Sequence, residues 1–435
     1  MADVLVAVMP FAGHVTPALR AVEALVAAGH SVRVYTGAAY ASAVDAAGAL
    51  PVVWRAAPDF DEHDLPATFP QVGRRGPRGV LANLEHVFIR TGVGQVEDLV
   101  EEFGRRPWDV LVSDSLCFGG GHAAERLRTP WATLSVVPLV IPSRDLPPPG
   151  LPIAPARGRL GRIRDAALRG AFTVLTRPLA RAYRETRQAV GLDPGARTVV
   201  DAGFSPFLVL ALGVADLEPP RSDLPPQVHF VGAFPPKPGG PLPPWWDEAL
   251  TSGRPLVHVT QGTLNIDPAD LLRPALTALG SREVTVAATT GLPGRDALPF
   301  PVPANAHVAG RLPYAALLPR LDAMVTNGGW GGVLAALAHG VPLVVAGGDL
   351  DKPAIAALVA RSGAGIDLRT GHPSSDAVGR AVDQVLAEPR YRHAAGRLAG
   401  AFAAHDPGAE VVALLERLLR TRQAVRRERD AWGRD

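Results

Sequence analysis

Thr326-Asn327-Gly328-Gly329-Trp330-Gly331-Gly332 is the stretch on which the reading of this chain turns. An apolar run, Leu321 to Val325, precedes it, and a run of small residues, Val333 to His339, follows. The order predicts strand, glycine-rich turn and helix. Such a turn aims backbone N–H groups and the positive end of a helix at one point, which suits a phosphate or diphosphate. A second apolar strand, Val341 to Ala346, comes next, and then the polar loop Gly347-Gly348-Asp349-Leu350-Asp351-Lys352. Anion cradle, helix, strand and acidic loop therefore share about one βαβ unit.

Outward from this unit the same alternation recurs. Before it, Leu256–Thr260, Val284–Ala288 and Ala306–Val308 read as strands, with a helix at Leu271–Leu279; Gly365–Leu368 reads as a strand after it. The first half repeats the scheme. Val4–Val8, Ser31–Tyr35, Pro51–Trp54, Asp109–Ser113 and Trp131–Ser135 read as strands. Thr16–Ala28, Ala38–Ala47 and a small-residue stretch near Gly121–Leu127 read as helices. Strands alternating with helices predict an α/β protein with parallel, doubly wound sheets. Between the halves, residues 216–246 carry Pro219-Pro220, Pro225-Pro226, Pro235-Pro236 and Pro243-Pro244, the composition of a stiff connector. The expected organisation is a first domain over 1–215, a linker over 216–246, a second domain over 247–405, and a terminal helical segment over 406–435 packing back toward the first domain. Residues 58–80 and the proline-rich 138–155 read as loops, the latter as a mobile lid or wall. Helical spacing returns from Leu160 to Val190, and Asp376–Ala404 and Pro407–Arg429 read as the last helices.

The 435 residues exceed one ordinary core, and 47% apolar with 20% charged residues describes a globular chain. A formal charge of +2 without a basic, aromatic-interleaved stripe speaks against nucleic acid as a partner. Cys117 is the sole cysteine, so neither an intrachain disulfide nor a cysteine-based zinc site is available. With no basic leader and no apolar run of about 18 residues, the expectation is a cytoplasmic protein without a membrane span.

The turn after the first strand reads Met9-Pro10-Phe11-Ala12-Gly13-His14-Val15-Thr16-Pro17. It lacks the G-x-G-x-x-G of a dinucleotide fold, which disfavours an NAD enzyme. It places His14 at a strand end near a helix start, where the positive helix end favours a neutral, proton-accepting imidazole. His14 is thus either a general base or a helix cap. Asp114, ending the strand 109–113, either orients that imidazole or caps the helix that follows.

These motifs, with Thr260-Gln261-Gly262-Thr263, Pro313-Tyr314 and Leu317-Leu318-Pro319, occur in an order that resembles the UDP-glycosyltransferase superfamily (glycosyltransferase family 1). The resemblance covers essentially the whole chain and is greatest to the actinobacterial members that glycosylate macrolides and other natural products in antibiotic biosynthesis. It implies the GT-B fold, two Rossmann-like domains facing across a cleft. It also implies an inverting transfer from a UDP- or TDP-sugar to a hydroxyl of a small, largely apolar acceptor, with no metal cofactor. His14 matches the family base and Asp114 the acid paired with it. The diphosphate is expected at Gly262, Thr263 and the turn Asn327, Gly328, Gly329, Trp330, Gly331, Gly332. The nucleobase is expected at Arg311 and Leu312, and the sugar hydroxyls at Asp351 and Lys352. For the acceptor, apolar content points to Phe60, Phe88, Leu139 and Ile141.

Three departures stand out. Asn327 replaces the usual His of the signature, Gly332 a Thr, and Ala335 a Glu that grips the ribose. Asn327 is expected still to donate to a phosphate oxygen, though more weakly than a charged donor. Ala335 cannot hold ribose hydroxyls, which favours TDP donors. Lys352, where the family has Gln, either attracts the leaving phosphates or pairs with Asp349 or Asp351. Asp349-Leu350-Asp351 also spells a D-x-D, a metal motif in another architecture, but Lys352 beside it opposes a cation. The departures leave an alternative open: a non-catalytic nucleotide-sugar-binding relative, or an auxiliary partner of another transferase.

Overall fold

The computed structural model describes residues 1–73, 76–156, 158–240, 242–262 and 267–427. Seven parallel strands form the first sheet: β1 (Asp3–Ala7), β2 (Ser31–Thr36), β3 (Leu50–Val53), β4 (Val110–Asp114), β5 (Trp131–Ser135), β6 (Leu208–Ala211) and β7 (Val228–Phe230), in the order β3-β2-β1-β4-β5-β6-β7. Six parallel strands form the second: β8 (Leu256–Thr260), β9 (Thr285–Thr289), β10 (Ala306–Ala309), β11 (Ala323–Thr326), β12 (Leu343–Val345) and β13 (Gly365–Asp367), in the order β10-β9-β8-β11-β12-β13. Central strands such as β4, β5, β8 and β9 are buried along their whole length. That burial is why they read as continuous apolar runs rather than alternating ones. In both sheets the order reverses beside the first strand of the half, β1 or β8, and the crevice at such a reversal is where doubly wound sheets bind ligands.

Several expectations need correction. The 216–246 stretch is not wholly a connector, because Val228–Phe230 pairs with β6 as the last strand of the first sheet. The first helix starts at Ala12 rather than Thr16 and runs to Ala27, which puts His14 in its first turn and Pro17 inside it. The helix expected over Asp376–Ala404 is two, Ser375–Ala387 and Pro389–Ala403. Pro389 forces Glu388 out of the helical region, to ψ 107°. The stretch 139–145 has no regular structure, yet it is no free lid. Ser143 Oγ and the Arg144 N–H donate to Asp223 at 2.6 and 2.8 Å, and the Ser222 N–H donates to Asp145 at 2.6 Å.

The two halves are joined by one continuous apolar cluster that runs from Val4 and Val112 through Leu212 and Val214 to Trp330, Leu334 and Met324. The terminal helix, Pro407–Thr421, packs against the helix Ala12–Ala27 and β6. Beyond it, the Val425 and Arg427 N–H groups donate to Phe207 and Pro226 at 2.8 Å each.

Candidate active site

His14 and Asp114 come together. His14 Nδ1 lies 2.7 Å from Asp114 Oδ2, with 12% of the imidazole exposed and none of the carboxylate. The carboxylate is fixed from several sides. Its Oδ2 also accepts from the Met9 N–H at 3.3 Å, and Oδ1 from the Leu116 N–H at 3.1 Å. Asp114 does not cap Gly119, whose N–H donates instead to the buried Gln95 side chain at 2.9 Å. The small residues nearby have a reason. A Cβ on Gly120 would lie 2.3 Å from Ser113 Oγ, and one on Gly203 only 1.8 Å from Ser115 O. The backbone around Asp114 is therefore packed at closest approach.

With Nδ1–H donated to Asp114, Nε2 of His14 is left as the proton acceptor. Burial alone disfavours the imidazolium. Attraction to Asp114, the hydrogen bond to it, and the carboxylates of Asp351 and Glu62 outweigh that, so His14 is held above the ordinary imidazole value. The carboxylates around His14 thus raise its proton affinity against the effect of burial. Asp351 belongs to the second half, so the two halves meet electrostatically at this imidazole. Burial also pushes the Asp351 carboxyl above the usual carboxylate range, against the pull of Lys352 and His14.

The second half contributes the glycine turn. Gly328 has φ +90°, and Gly329 precedes the helix Trp330–Ala338. A Cβ on Gly331 would meet nothing within 4 Å, so this helix start is open to a ligand. Asn327 is anchored to the protein and keeps one amide N–H for a phosphate. Its Nδ2 donates to the Gln261 carbonyl and its Oδ1 accepts from the Gly329 N–H at 3.3 Å. Gly262, at φ +77°, packs against the same amide, its added Cβ falling 3.2 Å from Nδ2. Asn327 thus staples the end of β8 to the turn after β11. Trp330 is also corrected, since its side chain is 6% exposed and packs on Gly213 of the first half. Only its backbone is left to face a ligand. Leu312 lies likewise in the core at 7% exposure, whereas Arg311 is exposed. Thr263 lies outside the described residues.

Lys352 Nζ donates to Asp349 Oδ1 at 3.1 Å, so the D-x-D carries its own cation, while the Asp351 carboxylate lies near enough to His14 to raise its proton affinity. Among the described residues no group of three or more His, Cys, Asp or Glu side chains could hold a metal.

On the acceptor side, Phe60 and Phe88 meet through a residue that motif reading passed over. Phe11 lies 5.7 Å from the His14 ring, 5.1 Å from Phe60 and 5.6 Å from Phe88, the last pair stacked. Its position three residues before His14 was the available signal. Glu62 and Tyr40 were missed too. Glu62 accepts from the Ala12 N–H at 2.9 Å and from Tyr40 Oη, pinning the start of the helix that carries His14. Pro10, Tyr40, Phe60 and Glu62 line a pocket of about 690 Å³. Leu139 and Ile141 are buried in a separate cluster with Phe204, Val209 and Leu224, as Phe11 and Phe60 are in theirs, which leaves Phe88 the half-exposed ring of the three. Ala335 lines a groove of about 650 Å³ between the halves, with Arg20, Phe234, His339 and Phe402.

Two doubly wound halves, each presenting the carboxyl ends of its strands to one cleft, make this a GT-B protein. A solved structure, the glycotransferase of kitacinnamycin, has the same fold, with a TM-score of 0.73 at 22% identity over 96% of this chain and 98% of that one. Residues 283–418 match the C-terminal domain family of erythromycin biosynthesis protein CIII-like proteins. The chain is 43% identical to 4'-demethylrebeccamycin synthase of Lentzea aerocolonigenes, over 96% of its own length and all of the relative's. It is 31% identical to UDP-glycosyltransferase 2 of Phaeomoniella chlamydospora, over 93% and 92%. The chain belongs to the UDP-glycosyltransferase superfamily and is a glycosyltransferase of natural-product biosynthesis. No described helix is long and apolar enough to cross a membrane.

Proposed function

We propose that this glycosyltransferase moves a sugar from a nucleoside diphosphate to a hydroxyl of a small, largely apolar acceptor, with inversion and without a metal. The observation that carries the reading is the 2.7 Å His14–Asp114 contact, which leaves Nε2 to accept a proton. The acceptor lies along Phe11, Phe60 and Phe88, its hydroxyl at His14 Nε2. The oxygen attacks the anomeric carbon from the face opposite the diphosphate. The acceptor proton passes to Nε2, the new C–O bond forms, and the bond from the anomeric carbon to the phosphate oxygen breaks with its electron pair on the leaving diphosphate. Asp114 stabilises the imidazolium. The N–H groups at the start of the helix Trp330–Ala338 have no intrahelical acceptors, and with the helix dipole they stabilise the departing charge.

Because Asn327 has one amide N–H tied to the Gln261 carbonyl and only the other left for a phosphate, and Ala335 offers no side-chain hydrogen bond, backbone N–H groups supply most of the grip on the nucleotide. A TDP donor loses less than a UDP donor from the missing ribose contact. His14→Ala tests the assignment. With a nucleotide-sugar and an alcohol acceptor, turnover should fall roughly 10²–10⁴-fold. A fully active variant removes His14 from the role of base.

A further inference from the structure

The segment after β6 touches both donor-side helices of the second half. An added Cβ on Gly213 would lie 3.5 Å from the Trp330 ring, at the start of the helix that leaves the glycine turn. Four residues on, the Leu217 carbonyl accepts from Arg361 Nη2 at 2.8 Å. Arg361 lies in the last turn of Lys352–Ser362, the helix that begins at the Asp351 loop. The next residue, Glu218, is 8% exposed and pairs with Arg221, 6% exposed, at 2.6 Å. Arg221 Nη1 donates to the Ile141 carbonyl at 3.0 Å, which ties the pair to the 139–141 backbone, and Leu139 lies near enough to Glu218 to favour its charged form. Residues 139–141 follow β5, the neighbour of β4, and so leave the sheet at the edge that carries Asp114. One run of polar contacts thus joins the helix of the Asp351 loop to the loop beside the acceptor side.

We propose that Arg361, through Leu217 and the buried Glu218–Arg221 pair, is a positioning residue: an interdomain latch that sets the 139–145 loop in register with the Asp351 loop. The proposal rests on the transfer reaction above and adds to its acceptor side, beyond Phe11, Phe60 and Phe88, the backbone of the 139–145 loop, whose Leu139 and Ile141 side chains stay in their own buried cluster. Two charged side chains this buried are costly unless their bonds are complete. Arg221 adds to the pair its bond to the Ile141 backbone, and this makes the 139–141 segment follow the pair. Arg361 then decides where that unit sits relative to the second half. Its loss frees the Leu217 carbonyl and leaves Glu218 and Arg221 paired, so the fold is kept while the register is released.

The test uses full-length Arg361→Gln. Hydrogen exchange should quicken at 139–141 and 214–218 by on the order of tenfold, as expected for losing a hydrogen bond to a charged group. KM for the acceptor should rise by a similar factor, while nucleotide affinity, followed by thermal shift, stays within about twofold. Exchange at 139–141 equal to wild type overturns the latch whether or not transfer is observed. So does an unchanged acceptor KM in an active enzyme. Wild-type protein that transfers nothing from any nucleotide-sugar counts against the reaction, and the exchange result then still decides the latch.

Discussion

A histidine bound to a carboxylate through one nitrogen has the other to spare, and His14 is in that state. Its proton affinity is raised by acids from three places: Asp114 at the end of β4, Glu62 on the loop just after Phe60, and Asp351 in the second half. The sign for activity follows. A base works only when neutral, so activity is lost as pH falls through the raised value, and the acid limb of the pH–rate profile should lie above about 6.5. Asp114→Asn removes the partner of the imidazolium. It should move that limb to lower pH and reduce turnover by at least about 10²-fold, since the imidazole also loses its fixed tautomer. An unmoved limb in a kinetic pH series takes Asp114 out of this role. At this scale the sequence was legible where a motif confined the chemistry to one position, as at His14 and Asp114. It was not legible for Phe11 and Glu62, whose roles arise from a ring contact and a backbone bond between segments about 50 residues apart in the chain.

At the scale of elements, glycines mark where backbones approach, and they are not equivalent. Gly203→Ala drives a methyl into Ser115 O, beside Asp114, and should destabilise by about 1–3 kcal/mol with loss of turnover. Gly328→Ala must hold a left-handed φ with Val345 Cγ1 3.0 Å away, costing about 1–2 kcal/mol from the backbone alone. Gly331→Ala has open space around its new methyl within the helix Trp330–Ala338 and should raise the urea midpoint slightly, by about 0.4–1 kcal/mol of stability. Weaker nucleotide binding in Gly331→Ala without loss of stability then reports ligand contact directly. Unaltered binding places the diphosphate elsewhere. Strand–helix alternation was readable because buried parallel strands leave continuous apolar runs. Short edge strands such as Val228–Phe230 were not, because three residues among prolines carry no period and are held by pairing with β6.

For the whole molecule, the cleft is a relation between two halves. Nucleotide binding to the folded form alone should stabilise it by about 2.7 kcal/mol at a hundredfold excess over Kd. A thermal-shift series of UDP, TDP and their sugars should show the larger shift with TDP, and a larger one with UDP reverses the preference argued from Ala335. EDTA should leave transfer intact, and activity lost to EDTA and restored by a divalent cation overturns the metal-free reading. The sequence by itself determined the two doubly wound halves and the motifs at their strand ends, because local periodicity and turn chemistry are written in contiguous residues. Only the tertiary structure decided what those residues are free to do. One Asn327 N–H goes to the Gln261 carbonyl, one Lys352 N–H to Asp349, and the Trp330 ring to the interface with Gly213. Asp351 acts on the charge of His14 because the halves pack through one shared core. A side chain's hydrogen-bonding capacity is finite, and which partner uses it is settled by proximity in space, not along the chain.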